Sequence, residues 1–243
     1  MAPRFFVAAP LAVGGLVRLP AAVAHHARRV LRLGHGAPVV LFDGKGGEYQ
    51  ASLRLDGNVT SAHVDAFDPI ERESPLRLTL VQGLVAADKL DWIVEKAVEL
   101  GVERILVVPT RRSVVRLDAD RAMRRLQHWG DIAIAACNQC GRNRPPPVEY
   151  CDSLASALAT ATPEGIRVLL LPTAARGLPS LLPGRRGTLL VGPEGGLDDD
   201  EVRQALDAGF RPARLGPRVL RCETAGLAAI ASLQSLDGDF AVN

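Results

Sequence analysis

A chain of 243 residues with 47% hydrophobic and 23% charged side chains can bury a sizeable core, which excludes a disordered polypeptide and leaves room for two modest domains. The net charge of +2 is too small to identify a nucleic-acid partner by itself, so the placement of the basic residues matters more than their sum. No apolar run approaches the roughly 18 residues of a membrane helix, and four cysteines are too few for a secreted disulfide scaffold; a reduced, cytoplasmic protein is expected.

The first twenty residues begin basic and apolar like an export signal, but Gly14, Gly15 and the early prolines interrupt the stretch. Leu19 to Leu33 then predicts a helix with Val23, Ala27, Val30 and Leu31 on one face. Two strand-like runs around a Gly-rich turn, "APVVLFDGKGGEYQASLRL", and a third, "VTSAHVDAF", suggest a little β-barrel. The charged, proline-closed "DPIERESP" places a domain boundary near residue 72, giving domains 1–72 and 73–243.

Beyond it the rhythm is that of an α/β domain. Strands are expected at Arg77 to Gly83, Arg104 to Pro109, Ile166 to Pro172, Thr188 to Gly192 and near "ARLG"; their unbroken apolar character suits a parallel sheet covered on both faces. Between them come a helix capped by Asp88, with Leu90, Ile93, Val94, Ala97 and Val98 inward, a long helix from Asp118 to Cys140, and a short one near Leu154. The last helix is expected to be capped by Thr224, and its small residues suit a tight packing or dimer contact.

Two loops carry the candidate chemistry. In "VGPEGGLDDDE" a strand runs through Gly192, Gly195 and Gly196 into a helix whose Asp198 and Glu201 have capping-box spacing. "LGPRVLRCETAGLAAIASLQ" repeats the layout with Gly216, Pro217, Arg218, Arg221 and Glu223. Neither contains a dinucleotide or phosphate-loop fingerprint, and three aspartates at a helix start repel phosphate; a ligand that is neutral or positively charged fits better. Cys137 and Cys140 have the spacing of half a zinc site but no second pair, so no metal is expected. Basic residues gather at His26, Arg28, Arg29 and Arg32, at Arg111 and Arg112, and at Arg142 and Arg144, as in a module that binds a phosphate backbone. A solvated helix face is the plain alternative for the first cluster, and a solvated helix end for Arg142 and Arg144.

The segments "HHARRVLRLGHG", "LFDGKG", "EKAVELGV", "RSVV", "IAACNQCGR", "LLVGPEGGL" and "LGPRVLRCETA", in this order, resemble the RsmE family of bacterial ribosomal RNA methyltransferases in the SPOUT superfamily. The resemblance implies a small PUA-like barrel that grips RNA, followed by an α/β domain with a parallel sheet and a trefoil knot, working as a homodimer. It implies S-adenosylmethionine as cofactor and N3 of a uridine in small-subunit ribosomal RNA, in an assembled particle, as target. Carried onto this chain, the cofactor residues are Leu171, Pro172, Gly192, Glu194, Gly196, Leu215, Gly216, Leu220, Arg221 and Glu223. Arg221, or Arg4 from a partner subunit, is expected to hold the uracil oxygens. Glu223 or Glu194 serves as base or as partner of the positive cofactor. Another RNA target, such as a ribose hydroxyl or a guanosine, and a non-catalytic ribosome-assembly protein are the rival readings.

Overall fold

Alternating burial in the N-terminal segment builds a mixed five-stranded sheet from β1 (Arg4–Phe6), β2 (Leu16–Arg18), β3 (Pro38–Phe42), β4 (Glu48–Asp56) and β5 (Val59–Asp68). The order is β1-β3-β4-β5-β2, and only β1 and β3 run parallel. Phe5, Val39, Leu41, Leu53 and Ala62 fill the core beneath it. The computed structural model describes residues 2–160, 165–178 and 185–240. They form two compact units, Met1–Glu73 with Cys137–Pro145, and Ser74–Ala136 with Pro146–Asn243.

The expected helix from Leu19 to Leu33 is shorter and less regular than its pattern. Helix α1 (Ala21–His25) passes directly into a π-helical turn, His26–Val30. The amide of Leu31 donates to the His26 carbonyl at 2.9 Å, an extra residue per turn that rotates the apolar stripe off its face. Ala27 is buried, but Val30 and Leu31 stand 59% and 40% exposed. Three-residue β1 and β2 are too short to show alternation, and the sequence gives no sign of them.

The second unit is a six-stranded parallel sheet. Its strands are β6 (Arg77–Gly83), β7 (Arg104–Val108), β8 (Val148–Tyr150), β9 (Ile166–Leu170), β10 (Arg186–Val191) and β11 (Arg211–Ala213), in the order β11-β9-β10-β6-β7-β8. Helices α2 (Ala87–Glu99), α3 (Ala119–Cys140), α4 (Leu154–Ala159), α5 (Asp199–Asp207) and α6 (Cys222–Asp237) connect or follow them. The five expected residues of α2 are buried, yet Asp88 does not cap it. Ala86 is the N-cap, and Asp88 lies in the first turn, where its charge favours the helix dipole. Likewise Arg221, not Thr224, precedes α6, and the Thr224 amide donates to its carbonyl. The small residues of α6 serve the chain's own sheet: a Cβ on Gly226 would already touch Leu80 and Val191 at 3.3 and 3.4 Å. Among the described residues no helix is long and apolar enough to cross a membrane.

One buried charge organises the first unit. The Arg4 guanidinium pairs with Glu48, meets Asn143 Oδ1 at 2.6 Å and donates to the Gly141 carbonyl at 3.1 Å. Arg72 reaches Glu48 and the same carbonyl, each at 3.0 Å. Burial opposes ionisation of Glu48, but the two guanidinium groups outweigh it and hold the carboxyl below its usual range. A carboxyl depressed on folding adds stability above its unfolded pKa and loses it as pH falls through the folded value. Glu48→Gln should therefore destabilise the protein by about 3 kcal/mol at neutral pH, with the gap closing below the ordinary value of 4.5, as read by urea denaturation across pH.

Candidate active site

Because β11, β9, β10 and β6 are adjacent and parallel, the loops that leave their C-terminal ends meet along one sheet edge. They enclose a cavity of about 360 Å³. Its wall contains Leu171 and Pro172 after β9, Gly192, Glu194 and Gly196 after β10, and Leu215, Leu220, Arg221 and Glu223 after β11. The structure thus brings together every expected cofactor residue except Gly216, which belongs to the same loop but not to the wall. Gly216 has φ +69, so its part there is conformational.

The Gly-rich loop after β10 is seated by its neighbours. A Cβ on Gly83, the last residue of β6, would lie 2.7 Å from Pro193 N and Cδ, so only glycine lets the loop lie against this strand. Buried Gln82 donates from Nε2 to the Gly192 carbonyl at 3.4 Å. Downstream, Asp198 and Glu201 close the expected capping box at the start of α5.

Arg111 and Arg112, expected on RNA, are exposed and also brace this loop. Arg112 Nη1 donates to the carbonyls of Gly195 and Leu197 at 3.1 and 3.2 Å. Arg111 Nη1 meets Asp198 and Asp200 at 2.9 and 2.7 Å, and its amide donates to Glu201 at 2.7 Å. The aspartates that disfavour phosphate are in this way partly neutralised from within. Other basic residues are engaged within the chain in the same way. Arg4, expected as an RNA contact and a partner subunit's catalytic arm, is 7% exposed at its side chain, with its fork on Glu48 and Asn143. Arg142 is buried against Glu73. Arg144 is half exposed but paired with Glu71 at 2.8 Å. On the open surface of the first unit stand His26, Arg29 and Arg32, and beside them half-buried Arg28, which donates to the Gly57 carbonyl at 3.1 Å.

The cavity's charged groups are two carboxylates, Glu194 and Glu223, and four basic side chains, Lys89, Arg214, Arg218 and Arg221, of which Lys89 had no place in the sequence expectation. Lys89, in the first turn of α2, lines the wall and reaches Glu194 Oε1 at 3.0 Å. Its place just beyond the C-terminal end of β6 was the available signal. Burial works against ionisation of Glu194, yet its own amide and Lys89 hold the carboxyl below the usual range. Glu223 is treated similarly: burial raises it, but its own amide, the Cys222 thiol and Lys89 bring it down. Cys222 donates its S–H to Glu223 at 3.2 Å. Burial first, and then the Glu223 carboxylate, push this thiol up to about 12. Arg221 is exposed at the rim. A wall with two ionised acids, four basic side chains, apolar sides and glycine-rich backbone suits a partly apolar ligand of moderate size that carries charge of both signs.

Residues 72–234 match the family model described as an RNA methyltransferase domain, and residues 19–54 match an RNA methyltransferase PUA domain. The ribosomal RNA small subunit methyltransferase E of Bacillus subtilis is 30% identical over 86% of this chain and 86% of its own. The crystal structure of the Neisseria gonorrhoeae enzyme of that name, bound to S-adenosyl methionine, is 39% identical with a TM-score of 0.92, covering 99% of this chain and 100% of that one. A Legionella pneumophila methyltransferase solved with the same cofactor is 31% identical with a TM-score of 0.93, over 98% and 99% of the two chains.

Replacing Glu223 by Gln removes a charge that, after burial, helps keep Cys222 protonated, so its pKa should fall. Alkylation of Cys222 by iodoacetamide near pH ~8 should then speed up several-fold, read by mass spectrometry of the Cys222 peptide.

Proposed function

The chain belongs to the RNA methyltransferase family, with the family's PUA domain ahead of the catalytic one, and on that premise we propose that it methylates N3 of a uridine in 16S ribosomal RNA using S-adenosylmethionine. The observation that carries the reading is the convergence of three loops on one cavity whose wall holds Glu194, Arg221 and Glu223. The residues fit the cofactor: the cavity lies within the usual size range for small ligands, and its two acids are held ionised beside apolar side chains. Bound there, S-adenosylmethionine supplies a methyl group on a positively charged sulfur.

The residues of the chain do the rest. Leu171, Pro172, Leu215 and Leu220 cover the apolar parts of the ligand, and the Gly192 to Gly196 loop brings backbone close to it. Holding nucleophile and methyl group in line supplies on the order of 7 to 11 kcal/mol of the barrier. Arg221 offers a guanidinium where negative charge develops on the uracil oxygens as N3 loses its proton. Glu194 and Glu223, both depressed in pKa, are weak proton acceptors and better suited as partners of positive charge. The His26, Arg28, Arg29 and Arg32 surface of the first unit grips the RNA backbone, and the target base leaves its stack to react. We take residues 1–72 as the RNA-gripping domain and 73–243 as the catalytic one. The trefoil knot and the homodimer belong to the same proposal; the parallel order β11-β9-β10 supports the first, and the half-buried small residues left on α6 support the second.

Incubation of the protein with methyl-labelled cofactor and small ribosomal subunits, followed by nucleoside digestion, should yield labelled 3-methyluridine. Label in a ribose or a guanosine would contradict the assigned target. In the same assay Arg221→Ala should lower transfer by about 10²-fold or more. The double variant Arg29→Ala, Arg32→Ala should weaken RNA binding and flatten its logarithmic salt dependence by about 2 units, read by filter binding at several salt concentrations.

A further inference from the structure

Two acids face one cavity, and their surroundings differ. Glu194 Oε1 accepts from Lys89 Nζ at 3.0 Å and from the Ala86 amide at 3.4 Å, so its charge is paired and its position fixed from the start of α2. Glu223 has no ion pair among the described residues; its side-chain partner is the Cys222 thiol at 3.2 Å, a weak donor. Lys89 is a quarter exposed, so it holds Glu194 while still bordering the cavity. The other charged groups around the space are Arg214, Arg218 and Arg221, all on the segment after β11, and none makes an ion pair with either acid among the described residues.

We propose that Lys89 is a positioning residue that commits Glu194 to the loop, leaving Glu223 as the carboxylate that faces the positive sulfur of the cofactor. The inference rests on the cofactor reading above and assigns separate roles to the two acids. An ammonium directly on one carboxylate cancels most of that group's field in the cavity, whereas a thiol on the other leaves its charge in place. The electrostatics run the same way. The Lys89 ammonium is held above its ordinary pKa by Glu194 first, with a smaller contribution from Glu223. It therefore stays charged throughout the pH range in which the enzyme would work, and so does its pairing with Glu194. Without Lys89 both acids would face the cavity uncompensated, and Glu194 would lose its tether to α2.

The role can be read without turnover, because S-adenosylhomocysteine has the cofactor's shape but an uncharged sulfur. Calorimetry of both ligands gives a preference for the charged one, and that ratio reports the field at the sulfur. Glu223→Gln should lower the preference by about tenfold or more. Lys89→Met, which uncovers the Glu194 charge, should raise it several-fold, and Lys89→Arg should restore the wild-type ratio. A ratio unmoved by Glu223→Gln, or by Lys89→Met, would overturn the assignment, since a lysine that only stabilised the fold would weaken both ligands alike. If the wild-type protein bound neither ligand, the cofactor reading itself would fall and this inference with it.

Discussion

The parallel pairing of β10 with both β9 and β6 places Leu190 opposite Leu169 and Val191 opposite Gln82. With β11 paired parallel to β9, the chain must leave four neighbouring strands at one edge. The site follows from that register. Parallel strands send their following loops to the same side, and three such loops with glycine or proline at their bends can close round a small molecule. A slip of one residue in β10 would turn Thr188 and Leu190 to the wrong face and carry Gly192 away from Gly83.

The same edge explains why arginines far along the chain matter to the cavity without touching it. Arg112 ties down the carbonyls of Gly195 and Leu197, and Arg111 settles the acidic start of α5. The loop is held by charge-assisted hydrogen bonds from outside and by the bare Cα of Gly83 from beneath. Such a loop is in place before any ligand arrives, which reduces the ordering entropy that binding must overcome. Its carboxylate, Glu194, then stands paired with Lys89 among the basic side chains of the wall, so the cavity offers charge of both signs.

Much of this was legible in the residues. Unbroken apolar runs marked β6, β7, β9 and β10, and helical spacing marked the five buried positions of α2, because burial on both faces and on one stripe leave different periods. The two Gly-Pro loops identified the cavity wall. What could not be read was pairing across long separations. Arg4 meets Asn143 and Arg111 meets Asp198 across stretches of chain in which no local pattern links the partners. An arginine in sequence looks the same whether it will be buried against a glutamate or left in water, so the burial of Arg4 and Arg142 and the pairing of Arg111 have no local sign. Lys89 was missed for the complementary reason. It is an ordinary first-turn lysine until the fold sets Glu194 beside it.

One cofactor held by three loops at once has a direct signature in amide hydrogen exchange. Adding S-adenosylmethionine should slow exchange together at the loops that follow β9, β10 and β11, around Leu171, Gly192 to Leu197 and Leu215 to Arg221, while β3, β4 and β5 exchange as before. Protection confined to one of these loops, or found only in the first unit, would contradict it.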